Sequence, residues 1–202
     1  FTGTGEKHHL YQSILTDLEA ARKHNPRNLE PLWRLISFHR ALGDLREEET
    51  YINAALKISP ENPFLLTARA ENRLIRKEYR AAVRDLNRAV TIYPSIWDSA
   101  RKLLFAHTSD YEILRQLPPD RNNYHRKLGY HLLAEKSREG ARKEFEKAVD
   151  LEPENPLNYR ALAKFYLTTG DPEKAAEYYD LILSRFEPEA GWLAERGDLA
   201  IR

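Results

Sequence analysis

The sequence predicts an all-α fold: a right-handed solenoid of stacked antiparallel helix hairpins, with about five repeats, one of them shortened. Three observations lead to this prediction. Prolines recur at a nearly fixed interval, apolar stripes with helical periodicity lie between successive prolines, and the composition is that of a folded domain. Of the 202 residues, 42% are hydrophobic, which is too many for a disordered chain, and 31% are charged, which is too many for a membrane protein.

The proline spacing defines the repeat. The prolines concerned are Pro26, Pro60, Pro94, Pro119, Pro153 and Pro188. Their successive separations are 34, 34, 25, 34 and 35 residues, so a single step is short. A fixed period between about 20 and 50 residues is typical of proteins in which one supersecondary unit stacks on the next.

Each repeat is predicted to contain two helices. In residues 122–155 the two apolar stripes are Leu128, Leu132 and Leu133, and then Ala141, Phe145, Ala148 and Val149. A polar turn at residues 135–137 separates them, as in an antiparallel hairpin. Gly129 and Ala141 are small where two helices would approach closely, and Phe145 is large enough to fill the facing gap.

The sequence Pro-Glu-Asn-Pro, at residues 60–63 and 153–156, marks the junction between hairpins. Its first proline cannot continue a helix, its asparagine can cap the next one, and its second proline suits a first helical turn. Since one hairpin cannot bury both of its faces, we expect all of them to stack into one solenoid domain.

The predicted segments of this domain follow from the same spacing. They are an N-terminal tail with the second helix of an incomplete repeat at 1–28, repeats at 29–62 and 63–96, a shortened repeat at 97–121, repeats at 122–155 and 156–189, and the first helix of a truncated repeat at 190–202. We expect residues 1–9 to be frayed. Because the sequence contains no methionine, even at position 1, we expect a piece of a longer protein, unless modified methionines are missing from the printed sequence.

The repeats also agree at matching offsets. One has Leu128, Gly129, Ala141, Phe145, Ala148 and Pro153, and the next has Tyr159, Leu162, Ala163, Tyr166, Gly170, Ala175 and Tyr179. This pattern resembles the tetratricopeptide repeat (TPR) family over nearly the whole chain. The resemblance implies a non-catalytic protein-interaction scaffold whose first helices line a concave binding groove. It does not extend to the chaperone-tail clamps of that family, because Trp33, Ser37 and Ala68 stand where those clamps carry lysine and asparagine.

The chain offers little for catalysis. It has no cysteine, only 8 glycines, and none of the phosphate-loop, nucleophile-elbow or zinc-protease motifs. His125 and His131 lie six residues apart, which is a poor spacing for metal ligands, and the carboxylates of Glu47–Glu49, Glu144 and Glu146 fit solvated helix surfaces. We therefore expect no catalytic residue, metal, cofactor or small-molecule substrate.

The candidate binding residues are first-helix side chains that point away from the apolar stripes. They combine cations with aromatic rings, a pattern suited to a protein or peptide ligand with acidic and aromatic or apolar residues. The candidates are Trp33, Arg34, Arg40, Arg101, Phe105, Arg126, Lys127, Tyr130, Arg160 and Lys164. We expect them to hold an extended or helical segment of a partner protein.

Three other functions stay open. The terminal hairpins could mediate self-association, and the chain could be a periplasmic scaffold of a bacterial polymer-export complex. A basic ridge could bind RNA or another anionic polymer, or pair instead with Glu47–Glu49. The ridge consists of Arg69, Arg73, Arg76, Lys77, Arg80, Arg84 and Arg88. The net charge of +1 argues against nucleic acid as the ligand of the whole chain. No apolar run is long enough to span a membrane. The sequence leaves the compartment open between cytoplasm and periplasm.

Overall fold

A computed structural model describes residues 3–120, 123–187 and 189–200 of the chain. The described residues form helices and connecting turns without a strand, which confirms the all-α prediction. The chain divides into two compact units, Phe1–Leu117 and Pro118–Arg202, here called unit 1 and unit 2. The division follows the shortened repeat.

Unit 1 begins with a long helix, continues as two helical hairpins and ends with two short helices. Its helices are α1 (Gly3–His24), α2 (Leu29–Leu42), α3 (Leu45–Ile58), α4 (Pro63–Ile75), α5 (Tyr79–Ile92), α6 (Trp97–Phe105) and α7 (Tyr111–Leu114), with a 3₁₀ turn at Pro94–Ile96. The pairs α2/α3 and α4/α5 have the length expected of full repeats. The short helices α6 and α7 form the shortened repeat.

Unit 2 contains two full hairpins and one further helix. Its helices are α8 (Tyr124–Ala134), α9 (Arg138–Leu151), α10 (Pro156–Thr169), α11 (Pro172–Arg185) and α12 (Ala190–Ala200). Helix α9 contacts both α8 and α10, and α12 packs against α11. Each hairpin therefore covers an apolar face of its neighbour within the unit.

Asparagine caps begin the first helices as the junction sequence predicts. The Asn62 side chain accepts hydrogen bonds from the backbone N–H groups of Phe64 and Leu65, and Pro63 occupies the first turn of α4. Asn155 caps α10 in the same way, through the N–H of Leu157. These bonds satisfy donors that a helix N-terminus otherwise leaves unpaired.

The turns inside the hairpins require a left-handed backbone. Gly43 and Gly170 adopt φ of 72° and 90°, which glycine tolerates because it has no Cβ. The equivalent turns of two other hairpins place lysine there instead, with φ of 62° at Lys77 and 63° at Lys136. Each of these lysines adopts a conformation that costs a residue with a Cβ roughly 1 kcal/mol.

The hairpin of α8 and α9 packs as its small and large residues predict. Phe145 and Ala141 are fully buried, and the Phe145 ring lies directly over Gly129. In α12, Gly197 has open space around it, while Trp192 packs into the core of unit 2.

Two expectations are corrected. Residues 1–9 were expected to be frayed, but helix α1 begins at Gly3, so the described part of this segment is helical, while Phe1 and Thr2 lie outside the described residues. Glu48 and Glu144 were expected on solvated surfaces but are only 1% and 2% exposed. Each has a polar partner on a neighbouring helix, a pairing that helix periodicity alone does not reveal.

Candidate functional site

The predicted binding residues divide evenly between the two units. Trp33, Arg34, Arg40, Arg101 and Phe105 lie in unit 1, on α2 and α6. Arg126, Lys127, Tyr130, Arg160 and Lys164 lie in unit 2, on α8 and α10. All ten are therefore on first helices, as expected, and each unit presents its own set.

In α2 the three candidates have different surroundings. Trp33 is half-buried and packs against the core of unit 1. Arg34 is exposed and donates to Glu30, one turn earlier, at 2.8 Å. Arg40 donates to the buried carboxylate of Glu48 at 2.7 Å, which ties α2 to α3.

In α6 a cation and an aromatic ring lie together. The guanidinium of Arg101 lies 5.9 Å from the centre of the Phe105 ring, within the range of a cation–π contact. The Arg101 side chain is only 14% exposed, and its nearest carboxylate, that of Asp98, is 3.9 Å away. This pair is a half-buried feature of unit 1 rather than an open cationic site.

On α8, the cations flank an exposed aromatic ring. Arg126 donates to the side-chain oxygen of Asn158 on α10 at 2.8 Å. Tyr130 is 42% exposed, and its ring packs edge-on against the buried ring of Phe145, 5.0 Å between centres. Lys127 is exposed, with its ammonium 5.6 Å from the ring centre of Tyr124.

On α10, the two cations hold a carboxylate of α12. Arg160 donates to Glu195 through two nitrogens, with its Nε at 2.9 Å, and the ammonium of Lys164 lies 3.3 Å away. The Tyr179 hydroxyl of α11 donates to the same carboxylate at 3.0 Å. The hydrogen bonds from Arg160 lower the pKa of Glu195 to about 2, against the opposing effect of burial.

The charged groups of α8 and α10 lie close enough to influence the hydroxyl of Tyr130. Burial raises the pKa of the Tyr130 hydroxyl, while the nearby guanidinium groups of Arg126 and Arg160 act in the opposite direction. Leu157 and Leu167 are exposed on the same face of α10 as Arg160 and Lys164. We call the whole the α8–α10 surface, formed by Arg126, Tyr130, Leu157, Arg160, Lys164 and Leu167.

Sequence reasoning missed the residues that complete this surface. Glu195 follows Arg160 by 35 residues, one repeat length, so extending the first-helix positions into the truncated repeat would have placed it nearby. Asn158 and Tyr179 gave no such signal. Asn158 is buried and donates to the backbone carbonyls of Ala148 and Glu152, a role that depends on how α9 and α10 pack.

Among the described residues, the basic ridge of unit 1 separates into a half that forms ion pairs and a half that does not. Arg69 and Arg73 both donate to the buried carboxylate of Asp85, with distances of 2.7–2.8 Å. Arg73 and Arg76 also pair with Glu49 on α3. These contacts confirm the structural interpretation for this half, in which ridge arginines pair with a carboxylate of the adjacent repeat.

Comparisons with known proteins agree with the repeat pattern. Two sequence models of the tetratricopeptide repeat match the chain, one over residues 15–63 and the other over residues 132–194. The chain belongs to the tetratricopeptide repeat family. TPR proteins are generally non-catalytic scaffolds that bind protein or peptide partners. No curated protein matches the chain as a relative.

Solved structures of TPR proteins are similar at low sequence identity. A TPR protein from Parabacteroides merdae is 20% identical over 95% of this chain and 79% of its own, with a TM-score of 0.47. A thermophilic TPR protein from Thermus thermophilus is 19% identical over 87% of this chain and 100% of its own, with a TM-score of 0.44. YrrB, described as a TPR protein with an unusual peptide-binding site, is 13% identical over 90% of this chain and 97% of its own, with a TM-score of 0.45.

The described residues contain neither a metal-binding cluster nor a membrane-spanning helix. No three histidine, aspartate or glutamate side chains there come together as a set that could hold a metal ion. No helix in that part of the chain has the length and apolar character needed to cross a membrane.

Proposed function

We propose that this TPR protein is a non-catalytic scaffold that binds an acidic segment of a partner protein on the α8–α10 surface. The observation that carries the proposal is the carboxylate of Glu195, which is held there by Arg160 and Lys164. A surface that binds a carboxylate of its own chain has the chemistry to bind carboxylates of a ligand next to it. Arg126 and Lys127 provide the neighbouring cations on α8.

Apolar anchors accompany the cations on this surface. Tyr130, Leu157 and Leu167 are 42%, 40% and 36% exposed. Aromatic side chains provide a large contact area at a low cost in conformational entropy, so Tyr130 is the residue best suited to anchor a ligand. We therefore expect a ligand in which acidic residues alternate with aromatic or aliphatic ones.

The scaffold role follows from how these side chains are fixed. Arg126 is hydrogen-bonded to Asn158, and the Tyr130 ring is held against Phe145. The binding residues are thus ordered before a ligand arrives, and the entropy cost of binding falls mainly on the ligand. We propose a matching role for the unit 1 candidates, Trp33, Arg34, Arg40, Arg101 and Phe105, of which Arg34 and Arg40 are exposed and each forms an ion pair within the unit.

Selection from a library of displayed random peptides on the purified chain tests the proposal. We expect the selected peptides to be rich in Asp and Glu and to contain at least one aromatic or aliphatic anchor. Their affinities are then measured by fluorescence anisotropy on the variant Arg126→Gln/Lys127→Gln, in which glutamine at 126 can still donate to Asn158. Loss of two partly exposed charges should weaken binding about three- to tenfold.

The matched control removes two cations elsewhere in unit 2. Arg138→Gln/Lys174→Gln changes the net charge equally, on the second helices α9 and α11. We expect this variant to bind the selected peptides as the unsubstituted chain does. Selected peptides that are basic or uncharged, or an equal loss of affinity in both variants, would contradict the proposal.

A further inference from the structure

The unpaired half of the basic ridge lies along one helix of unit 1. Arg80, Arg84 and Arg88 are exposed on α5, and within the described part of the chain none of them forms an ion pair. They are spaced four residues apart, so the three lie on one face over about 12 Å of helix. We call these three residues the α5 stripe.

The ion pairs of the other half explain why the α5 stripe has no carboxylate partner in the part of the chain that the structure describes. Asp85 lies on α5 itself but is 6% exposed and faces α4, where Arg69 and Arg73 share it. Glu78 pairs with Arg76 at 2.6 Å. The carboxylates nearest in sequence to the stripe are thus already occupied by other arginines.

A cleft lies at each end of the α5 stripe. One, of about 540 Å³, is lined by cations and apolar side chains of α3, α4 and α5, and Lys57 there is exposed and without an ion pair in the described residues. Its lining is Asn53, Leu56, Lys57, Pro60, Leu66, Arg69 and Arg88. The other, of about 670 Å³, contains Lys77, Arg80 and Arg84 beside Tyr79 and Ile113, together with the carboxylates of Glu78 and Asp110.

We propose that the α5 stripe binds an acidic helix of a partner protein, with carboxylates at every fourth position facing the three arginines. Two helices packed side by side lie about 8–10 Å apart. Both have the same rise per residue, so carboxylates at every fourth position of one helix have the same spacing along the axis as the three guanidinium groups of the other. The same helix would extend over the clefts at the two ends, whose apolar lining residues Leu56, Leu66 and Ile113 are themselves at most 8% exposed, so the three arginines provide most of the contact. Arginine can bind each carboxylate through two parallel hydrogen bonds.

An acidic helix fits this surface better than a nucleic acid. Single-stranded nucleic acids gain much of their affinity from bases stacked on exposed aromatic rings. Among the residues that line the two clefts, Tyr79 is the one aromatic residue, and it is half-buried. The other uncharged side chains in the two linings are aliphatic or end in an amide. The α5 stripe lies in unit 1 and shares no residue with the α8–α10 surface of unit 2, so the scaffold would hold two acidic segments.

The test uses a fluorescein-labelled helical peptide of about 18 residues, with glutamate at every fourth position and leucine beside it. Its anisotropy is measured with the unsubstituted chain and with Arg80→Gln/Arg84→Gln/Arg88→Gln, at about 50 mM salt. We expect the triple variant to bind about tenfold more weakly. The control Arg27→Gln/Arg46→Gln/Lys102→Gln removes three exposed cations of unit 1 outside the stripe and should bind within about twofold of the unsubstituted chain.

Two further binding measurements, one with a charge-reversed chain and one with an oligonucleotide, complete the test. A charge-reversed chain, Arg80→Glu/Arg84→Glu/Arg88→Glu, should bind the peptide in which lysine replaces every glutamate, which a merely misfolded variant would not. A labelled uridylate oligonucleotide of about 12 residues should bind weakly or not at all. Equal peptide binding by the stripe variant and the control, or tight oligonucleotide binding that the stripe variant loses, would overturn the proposal. Peptides selected for the α8–α10 surface should bind the stripe variant normally, so either proposal can fail alone.

Discussion

The ring of Phe145 lies so close to Gly129 that a Cβ at residue 129 would stand 2.6 Å from its Cε1 atom. Phe145 is fully buried and also contacts Tyr130 and Phe165, so the ring cannot move aside freely. The close approach of α8 and α9 therefore depends on glycine at this position. It also fixes the ring against which Tyr130 of the α8–α10 surface rests.

We predict that Gly129→Ala lowers the free energy of unfolding by about 1–2 kcal/mol, because overpacking outweighs the better helix propensity of alanine. Urea denaturation followed by circular dichroism measures this change. Gly197→Ala is the control, since that glycine has open space around it in α12 and should gain up to about 1 kcal/mol. Equal effects of the two substitutions would contradict the packing argument.

The two lysines with positive φ predict a simple gain in stability. Lys136→Gly should raise the free energy of unfolding by about 0.5–1 kcal/mol, because relief of the left-handed strain exceeds the entropy that glycine adds to the unfolded chain. Lys77→Gly should act in the same direction. Gly170→Ala, at the equivalent turn, should destabilise by a similar amount, and a thermal melt of all three variants checks the signs.

The pKa of Glu195 predicts a pH-dependent contribution to stability. Because Arg160 lowers that pKa from 4.5 to about 2, the ionised carboxylate stabilises the folded state. The contribution is complete above about pH 4.5 and disappears as the pH falls towards 2, and solvent screening limits it to about 1 kcal/mol.

Glu195→Gln is the variant that measures this contribution. It should be less stable than the unsubstituted chain near neutral pH, and the difference should vanish near about pH 2. Urea midpoints at several pH values measure the difference. Glu154→Gln, which removes a 78% exposed carboxylate, should show almost no difference at any pH. A Glu195→Gln deficit that persists unchanged in acid would refute the ion-pair interpretation.

The buried carboxylate of Glu48 gives a fourth prediction. It accepts hydrogen bonds from Arg40 at 2.7 Å and from the buried Asn72 side chain at 2.9 Å, joining α2, α3 and α4. Glu48→Ala should cost about 2–4 kcal/mol, because it removes a charged acceptor shared by both donors and leaves a cavity. The neighbouring Glu47→Ala should cost well under 1 kcal/mol in the same urea experiment.

Periodic features of the sequence were sufficient to predict much of the fold. The Asn-Pro junctions and the Gly129–Phe145 pair each depend on residues close together in the sequence, and α4 and α10 begin at the proline of these junctions. The buried state of Glu48 could not be predicted, because its two partners come from different helices. A carboxylate on a helix has the same local pattern whether it faces water or a neighbour's arginine.

The sequence predicted which helices carry the candidate binding residues, but it did not predict the ion pairs that these residues form. First-helix periodicity placed Arg126, Arg160 and Lys164 on adjacent helices of unit 2. It did not show that Glu195 already occupies two of these cations, because that contact depends on how α12 packs. The same limit applies to the basic ridge, where packing alone decides that Arg69 is paired, while Arg84 forms no ion pair with any residue that the structure describes.

The proposal that the α8–α10 surface binds an acidic peptide is tested most directly by amide hydrogen exchange, measured with and without a selected acidic peptide. Peptide binding should slow exchange or shift amide signals at α8 and α10, centred on Tyr130 and Lys164. The variant Arg126→Gln/Lys127→Gln should show the same changes only at higher peptide concentration. Changes confined to α9 and α11, or no change in unit 2 at saturating peptide, would contradict the proposal that the α8–α10 surface is the binding site.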